Sequence, residues 1–462
     1  MGDPVAVFIV VFCALAIAVI LACLYRYLAR RGPAAGFLGM VFVATLGTEY
    51  CLRPFQILSS GEFGWEPSVV RPLVDIDPDA LLRAGILSLV GVAAFAACLV
   101  VPWGSLRRAR PSSGAPAPAP STGGSRFSLP LGATTAMAVV VSAYIALQLG
   151  RIGGSFEGEF GRQNLGSGYV YLLVNLAGII ALVALSSLPL RALHRRQIRI
   201  LLACSYLIFM GIHILVLGGR AEIIIVSIAI LVVMAARLHR PSKPVLVAVL
   251  LLSTFALSLY RVTTRETFNA PVGESKMSRV VAAIQDPLGL VTRYDVSSFD
   301  KLVLLEEDRP ALRFGSTYAS ALLAPIPGAD SATLQGGNRA FTERYIPERY
   351  ARNVTFEGVS MLGEAHLNFG PLGVPLAGAA AGWAFGTFLR RAGDRRWMLV
   401  LAMAAGLFPS LIRADALNTA ALGASLIIFT LFVSTLVTRR QHTRRPNSGA
   451  RRRRPAPAPA SP

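Results

Sequence analysis

The chain alternates long apolar blocks with polar breaks, and neither strand alternation nor the spacing of a half-exposed helix runs through the blocks. Apolar runs of about 17–25 residues, the length at which a helix crosses a bilayer, begin near Val5, Gly36, Leu81, Leu129, Tyr169, Ile200, Ala221, Val245, Pro371, Trp397 and Leu417. The pattern therefore predicts an all-α polytopic membrane protein with eleven transmembrane helices. Most breaks are short, but residues 261–357 form one large hydrophilic insertion between the eighth and ninth spans. Its runs SRVVAAIQ (278–285) and YASALLAPIPG (318–328) read as short helices lying against a membrane or packing over a cavity, so the insertion is a small subdomain and not a linker. The organisation expected is spans one to three in 1–104, four to eight in 129–260 and nine to eleven in 358–438. The linker 105–128 and the tail 439–462 are rich in Pro, Ala, Gly, Ser or Arg and are expected to be disordered.

Composition sharpens this picture. Over 462 residues the chain is 54% hydrophobic and only 15% charged, which excludes an ordinary soluble enzyme. The formal charge of +20 would point to nucleic acid if it were spread evenly. It is not. With the breaks assigned alternately to two sides, one side holds 26 of the 45 Lys and Arg and, in Asp394, one of the 25 acidic residues; the other holds 19 basic and 24 acidic. That asymmetry is the positive-inside rule. It predicts an N-terminus outside, a cytoplasmic C-terminus and an extracytoplasmic 261–357. Tyr25, Arg26, Arg30 and Arg31 after the first block fit a start-transfer helix that is retained. The run Arg451 to Arg454 reads as a lipid-headgroup or topology signal, so membrane lipids and not nucleic acid are the expected partners. All five cysteines lie in or at the ends of spans, which argues against a disulfide framework or a thiolate metal site.

The candidate chemistry gathers outside. In GVSMLGEAHLNFGPLG (358–373), Ser360, Glu364 and Asn368 share one helical face while His366 points the other way. Such a stripe faces a wet cavity or protein partners; the plainer alternative is a helix end at headgroup depth, broken by Gly370 and Pro371. LGGRAEIII (217–225) predicts a tight hairpin with Arg220 and Glu222 at the outer surface, and LIRADALN (411–418) repeats it with Arg413, Asp415 and Asn418. Arg261 and Arg265 leave the eighth span, and Arg339, Arg344, Arg349 and Arg352 follow in the insertion. Taken singly these are ordinary surface charges, with Arg339–Glu343 and Arg344–Glu348 spaced as helical ion pairs and Pro347 as an interruption. Collected over an outer cavity they suit a phosphorylated ligand, because guanidinium binds phosphate oxygens bidentately and stays charged. In VDIDPDA (74–80), Asp75 and Asp77 form an Asp-x-Asp of the kind that holds a metal against a diphosphate, although Asp77 before Pro78 is better read as a helix cap. No phosphate-binding Gly-rich loop, zinc-binding His-Glu-x-x-His or nucleophile elbow is present, so no metal, cofactor or ATP is expected.

From Phe314 to Arg390 the chain resembles bacterial oligosaccharide repeat-unit polymerases of the O-antigen polymerase type. The family's Gly-Glu-x-x-x-Asn-Phe-Gly-x-x-Gly pattern is matched by Gly363, Glu364, Asn368, Phe369, Gly370 and Gly373, with His366 where an aromatic is commoner. The resemblance implies transfer of a growing glycan from undecaprenyl diphosphate to the non-reducing sugar of another lipid-linked repeat unit, with a flippase and a chain-length regulator as protein partners. In that reaction Glu364 or His366 would be the base. Arg220, Arg339, Arg344 and Arg413 would hold the diphosphate, with Arg261, Arg265 and Asn368 as further substrate contacts. Two rival readings stand beside it. A ligase or a polyprenyl-phosphate-sugar glycosyltransferase would give Asp75 and Asp77 an active role, whereas a lipid-linked glycan flippase would require related halves and midplane charges.

Overall fold

Hydrocarbon offers no partner to a backbone N–H or C=O, so a segment that crosses it must close its own hydrogen bonds. The computed structural model describes residues 3–64, 69–101, 126–127, 130–152, 172–193, 195–213, 221–237, 297–323, 336–352 and 358–439, and these are mostly helical. Before the insertion stand α1 (Pro4–Ala29), α2 (Pro33–Gly47), α3 (Arg53–Ser60), α4 (Pro78–Val100), α5 (Leu131–Ile152), α6 (Leu176–Ser187), α7 (Arg196–Ile212) and α8 (Ala221–Arg237). The insertion contributes α9 (Ser298–Asp308), α10 (Ser316–Leu323), α11 (Gly337–Tyr345) and α12 (Pro347–Arg352). Helices α13 (Met361–Phe369), α14 (Gly373–Arg391), α15 (Arg395–Arg413) and α16 (Ala416–Val437) complete the described chain.

An apolar helix stands at each expected block except the one from Val245, which lies outside the described residues. Among the described residues five stretches are long and apolar enough to cross a membrane: Pro4–Ala29, Pro33–Ser60, Pro78–Val100, Met361–Arg391 and Arg395–Arg413. Leu131–Ile145, Leu176–Ser187 and Gly423–Val437 are shorter apolar pieces. The run 278–285, the turn 217–220 and the low-complexity 111–125 also lie outside the described residues. Where the linker and the tail meet the bundle, Arg126–Phe127 pairs antiparallel with Thr438–Arg439. The helix starts follow local rules. Asp3 and Asp77 accept N–H bonds from Val5 and Asp79, each beside a proline in the first turn, and Asp394 accepts from Arg396.

The bundle has two chemically distinct ends. At one, Tyr27 Oη donates to the Val100 carbonyl at 3.3 Å, Arg237 to the Leu185 carbonyl at 2.5 Å, and Arg395 to Ser187 and Ser434 at 3.2 and 2.9 Å. These bonds join the helix ends that flank the basic breaks. Midway, Phe42 sits edge-on to Phe95, Phe385 and Phe408 with centroids 5.0, 5.1 and 4.5 Å away, so four helices meet on one aromatic hub. Small residues bring α4 and α14 together. A Cβ at Gly378 would stand 2.1 Å from the Gly91 carbonyl oxygen, and one at Gly382 2.1 Å from that of Phe95. Backbone cannot retreat as a side-chain tip can. Gly378→Val and Gly382→Val are therefore each expected to cost about 1–3 kcal/mol through overpacking. Thermal unfolding in detergent measures this, and an unchanged midpoint in both variants would refute the close contact.

Candidate functional site

The opposite end of the bundle is organised around a helix with an improbable sequence for its position. Helix α9, SFDKLVLLEED, is buried from Ser298 through Glu306, although charged residues are rarely fully buried unless paired. Its acids are paired. Arg53 grips Asp300 with a two-pronged fork, Nε to Oδ1 at 2.9 Å and an Nη to Oδ2 at 2.6 Å, and also donates to the Gly64 carbonyl at 2.8 Å. Glu306 accepts from Arg83 at 2.9 Å on one oxygen and from His366 Nε2 at 2.6 Å on the other. Arg71 pairs with Glu307, and Arg344 pairs with Asp308, which also accepts from Tyr345 Oη at 3.0 Å. At the N-terminus the Glu49 carboxylate takes the Ser297 and Ser298 N–H groups at 3.2 and 3.0 Å, where the helix dipole favours an anion. Its other oxygen accepts Arg413 Nε at 2.7 Å.

A local defect aims Glu49 and Arg53. Between α2 and α3, Thr48–Leu52 winds as a π-turn, and the Arg53 N–H reaches back five residues to the Thr48 carbonyl. Pro54 follows at once; it has no N–H, and its ring crowds the carbonyl of the preceding turn. The widened turn lets the helix continue while both charged side chains meet α9.

The polar motif 358–373 fits against this platform. A Cβ at Gly358 would lie 2.2 Å from the Arg413 carbonyl oxygen, so the segment entering α13 runs directly along the α15–α16 turn. Ser360, at φ 74°, caps α13 by accepting the Gly363 N–H at 3.1 Å. Glu364 is buried; its Oε1 accepts Thr317 Oγ1 and its Oε2 the Ala416 N–H, both at 2.5 Å. Asn368 donates to Thr317 Oγ1 at 2.7 Å and to the Glu364 carbonyl at 2.8 Å, and its Oδ1 accepts the Gly315 N–H at 3.0 Å. Asp415, one residue before Ala416, accepts the Asn338 N–H at 2.9 Å, and a Cβ at Gly337 would stand 3.0 Å from the Glu364 side chain. Thus α10, α11, α13 and the α15–α16 turn converge on one carboxylate.

Of the residues singled out from sequence, Glu364 and Asn368 share Thr317, while His366 belongs to the separate Glu306 group. Arg413 lies three residues from the Glu364-bound N–H and is engaged by Glu49. Arg339, next to Asn338, stands 5.7 Å from the Tyr350 ring centroid. Arg344 pairs with Asp308. Arg220, Arg261 and Arg265 lie outside the described residues. Glu222, expected at the outer surface, is fully buried. Asp77 caps α4 and lies 3.5 Å from Arg83. Pro347 opens α12, with Ile346 between it and α11. Among the described residues no group of three or more His, Cys, Asp or Glu is placed to hold a metal. Sequence reasoning passed over Glu49, Arg53, Arg83, Asp300, Glu306 and Thr317. The legible signal was Glu49 and Arg53, one turn apart in an otherwise apolar block that ends at a proline. Comparison of the chain with family models, curated proteins and solved structures found no match.

Two expectations follow from the pairing. Arg53→Met leaves Asp300 buried and unpaired and should destabilise the protein by about 3–5 kcal/mol, whereas adding Asp300→Leu should restore much of the loss. A double variant no more stable than Arg53→Met in thermal unfolding would contradict the pairing. Burial works to raise the Glu306 carboxyl, but His366 and Arg83 outweigh it and hold it below the usual range. A depressed carboxylate stabilises the fold fully above its ordinary pKa of about 4.3 and loses that contribution as pH falls towards the folded value. The stability gap between the native chain and Glu306→Gln should therefore shrink on acidification from pH 7 through that window, as read by unfolding midpoints; a gap that widens would be inconsistent with it.

Proposed function

We propose that the chain is a polymerase of lipid-linked oligosaccharide repeat units, working at the outer face of the bacterial cytoplasmic membrane with eleven spans, its N-terminus outside and its C-terminus in the cytoplasm. The observation that carries the reading is Glu364: a buried carboxylate, in the Gly-Glu-x-x-x-Asn-Phe-Gly-x-x-Gly stretch, lying against the two segments that bear Arg339 and Arg413. The division of the bundle supports the orientation, because bonds between helix ends beside the basic breaks gather at one end and the acid-rich α9 network lies at the other.

In the reaction, the bond between the glycan's anomeric carbon and the undecaprenyl diphosphate oxygen breaks, and the diphosphate leaves with the electron pair. The acceptor sugar's hydroxyl oxygen forms the new bond to that carbon. Glu364 takes the hydroxyl proton. Arg339 and Arg413 stabilise the charge developing on the diphosphate, and the Glu49 bond to Nε sets the direction of the Arg413 fork. By the resemblance Arg220, Arg261 and Arg265 would be further diphosphate contacts, and Asn368 holds Thr317 and so the Glu364 carboxylate. His366 and Arg344, engaged by Glu306 and Asp308, serve the α9 platform instead. A flippase that delivers the lipid-linked unit and a chain-length regulator would act beside it.

Chain extension by the purified protein in liposomes containing lipid-linked repeat units tests the reading. General-base removal is worth roughly 100-fold or more, so Glu364→Gln should collapse the glycan ladder to single repeat units, as should Arg413→Lys, which keeps a cation beside Glu49 but loses the planar fork, while both variants unfold at temperatures near that of the native chain. Ladders of native length from both variants would eliminate the assignment.

A further inference from the structure

The segment 312–323 presents its apolar side chains outwards instead of towards the core. Phe314 is 80% exposed, Leu322 80% and Leu372 76%, values at which a soluble protein would leave three large hydrophobic groups in water. They are not scattered. Leu312 lies over Gly370, whose added Cβ would be 3.6 Å from its Cδ2, and Phe369 lies over Gly315 at 3.2 Å in the same measure. The Phe369 ring is also stacked on Tyr318, with centroids 6.0 Å apart. Exposed apolar residues continue along the chain from Leu372 onto α14 at Leu376 and Trp383, in a stretch long and apolar enough to cross a membrane.

The backbone fixes this orientation. The N–H groups of Arg313 and Phe314 donate to the Leu367 and Asn368 carbonyls at 3.1 and 3.0 Å, and Gly315 donates to Asn368 Oδ1, so the turn closes the C-terminal end of α13. Phe314 is held at φ 48°, a left-handed conformation unfavourable for an aromatic residue, and its ring is directed away from the protein. On α10, Thr317 and Ala321 are buried against the site, while Leu322 and Leu323 face out. Arg309, exposed, precedes the segment and Arg313, half-buried, lies at its start, and phospholipid headgroups are the anions such arginines meet at a membrane surface.

We infer that residues 312–323 are an interfacial element sunk into one leaflet of the bilayer, with phospholipid acyl chains covering Leu312, Phe314, Leu322, Phe369 and Leu372. Continuity with the lipid face of α14 identifies the occupant as hydrocarbon. Helix α10 thereby ties the membrane surface to Thr317 and Glu364. The inference rests on the membrane reading alone and stands whatever reaction the site performs.

Photo-crosslinking tests it. Benzoylphenylalanine is placed at position 314 or 322 of the full-length protein, in nanodiscs of phosphatidylcholine and phosphatidylglycerol, with position 383 as the lipid-facing control and position 343, exposed on α11, as the aqueous one. Illumination should add the mass of one phospholipid at 314 and 322, as at 383, and none at 343. Adducts at 383 alone would overturn the inference, as would adducts at 314 and 322 only to a second copy of the chain.

Discussion

A buried charge is tolerated only with its partner in place, since desolvating an unpaired ion costs several kcal/mol even after the protein relaxes. Helix α9 makes that constraint the organising fact of one whole end of the molecule. Asp300 can be buried only if the π-turn has brought Arg53, and Glu306 only if α4 and α13 have supplied Arg83 and His366. The first turn of α9 needs Glu49, which in turn holds the end of α15 through Arg413. The insertion's central helix is therefore not a separate domain resting on the spans. It is a strut that the spans must assemble around, and it fixes their ends relative to one another.

Much of the span pattern was legible because a bilayer imposes a simple demand, length and apolarity, that composition alone can meet. Helix starts were equally legible where one residue decides them: Asp77 with Pro78 reads as a cap in the sequence and is one in the structure. The face shared by Glu364 and Asn368 followed from helical spacing, and both do meet Thr317. Helix α9 could not be read in this way. Asp300 and Arg53 are 247 residues apart and Glu306 and Arg83 are 223 apart, and local periodicity carries no information about such pairs. Arg344 shows the same limit: Asp308, its partner here, is 36 residues away, beyond the reach of helical spacing. Glu222 misled for a related reason: a charge beside a predicted turn looks exposed until the packing of α8 is known.

The acids at this end fall into two kinds, and the difference bears on function. Glu49, Asp300 and Glu306 are each bound by a guanidinium, so removing any partner would expose an ion to a dry interior. They are structural in the strict sense that their bonds cannot be exchanged cheaply. Glu364 is held instead by a hydroxyl and a backbone N–H. A neutral donor can be replaced by another neutral donor, such as a sugar hydroxyl, without breaking an ion pair. The motif thus places its one exchangeable carboxylate beside a lattice of unexchangeable ones, and the proposed role of proton acceptor would need that rigidity, since misplacement by a fraction of an ångström would weaken its contribution. Thr317 is the joint between the two regions: one face of its helix touches the carboxylate and the other carries the apolar ledge that includes Leu322. The same short helix thus completes the hydrogen bonding of Glu364 on one face and carries exposed apolar side chains on the other.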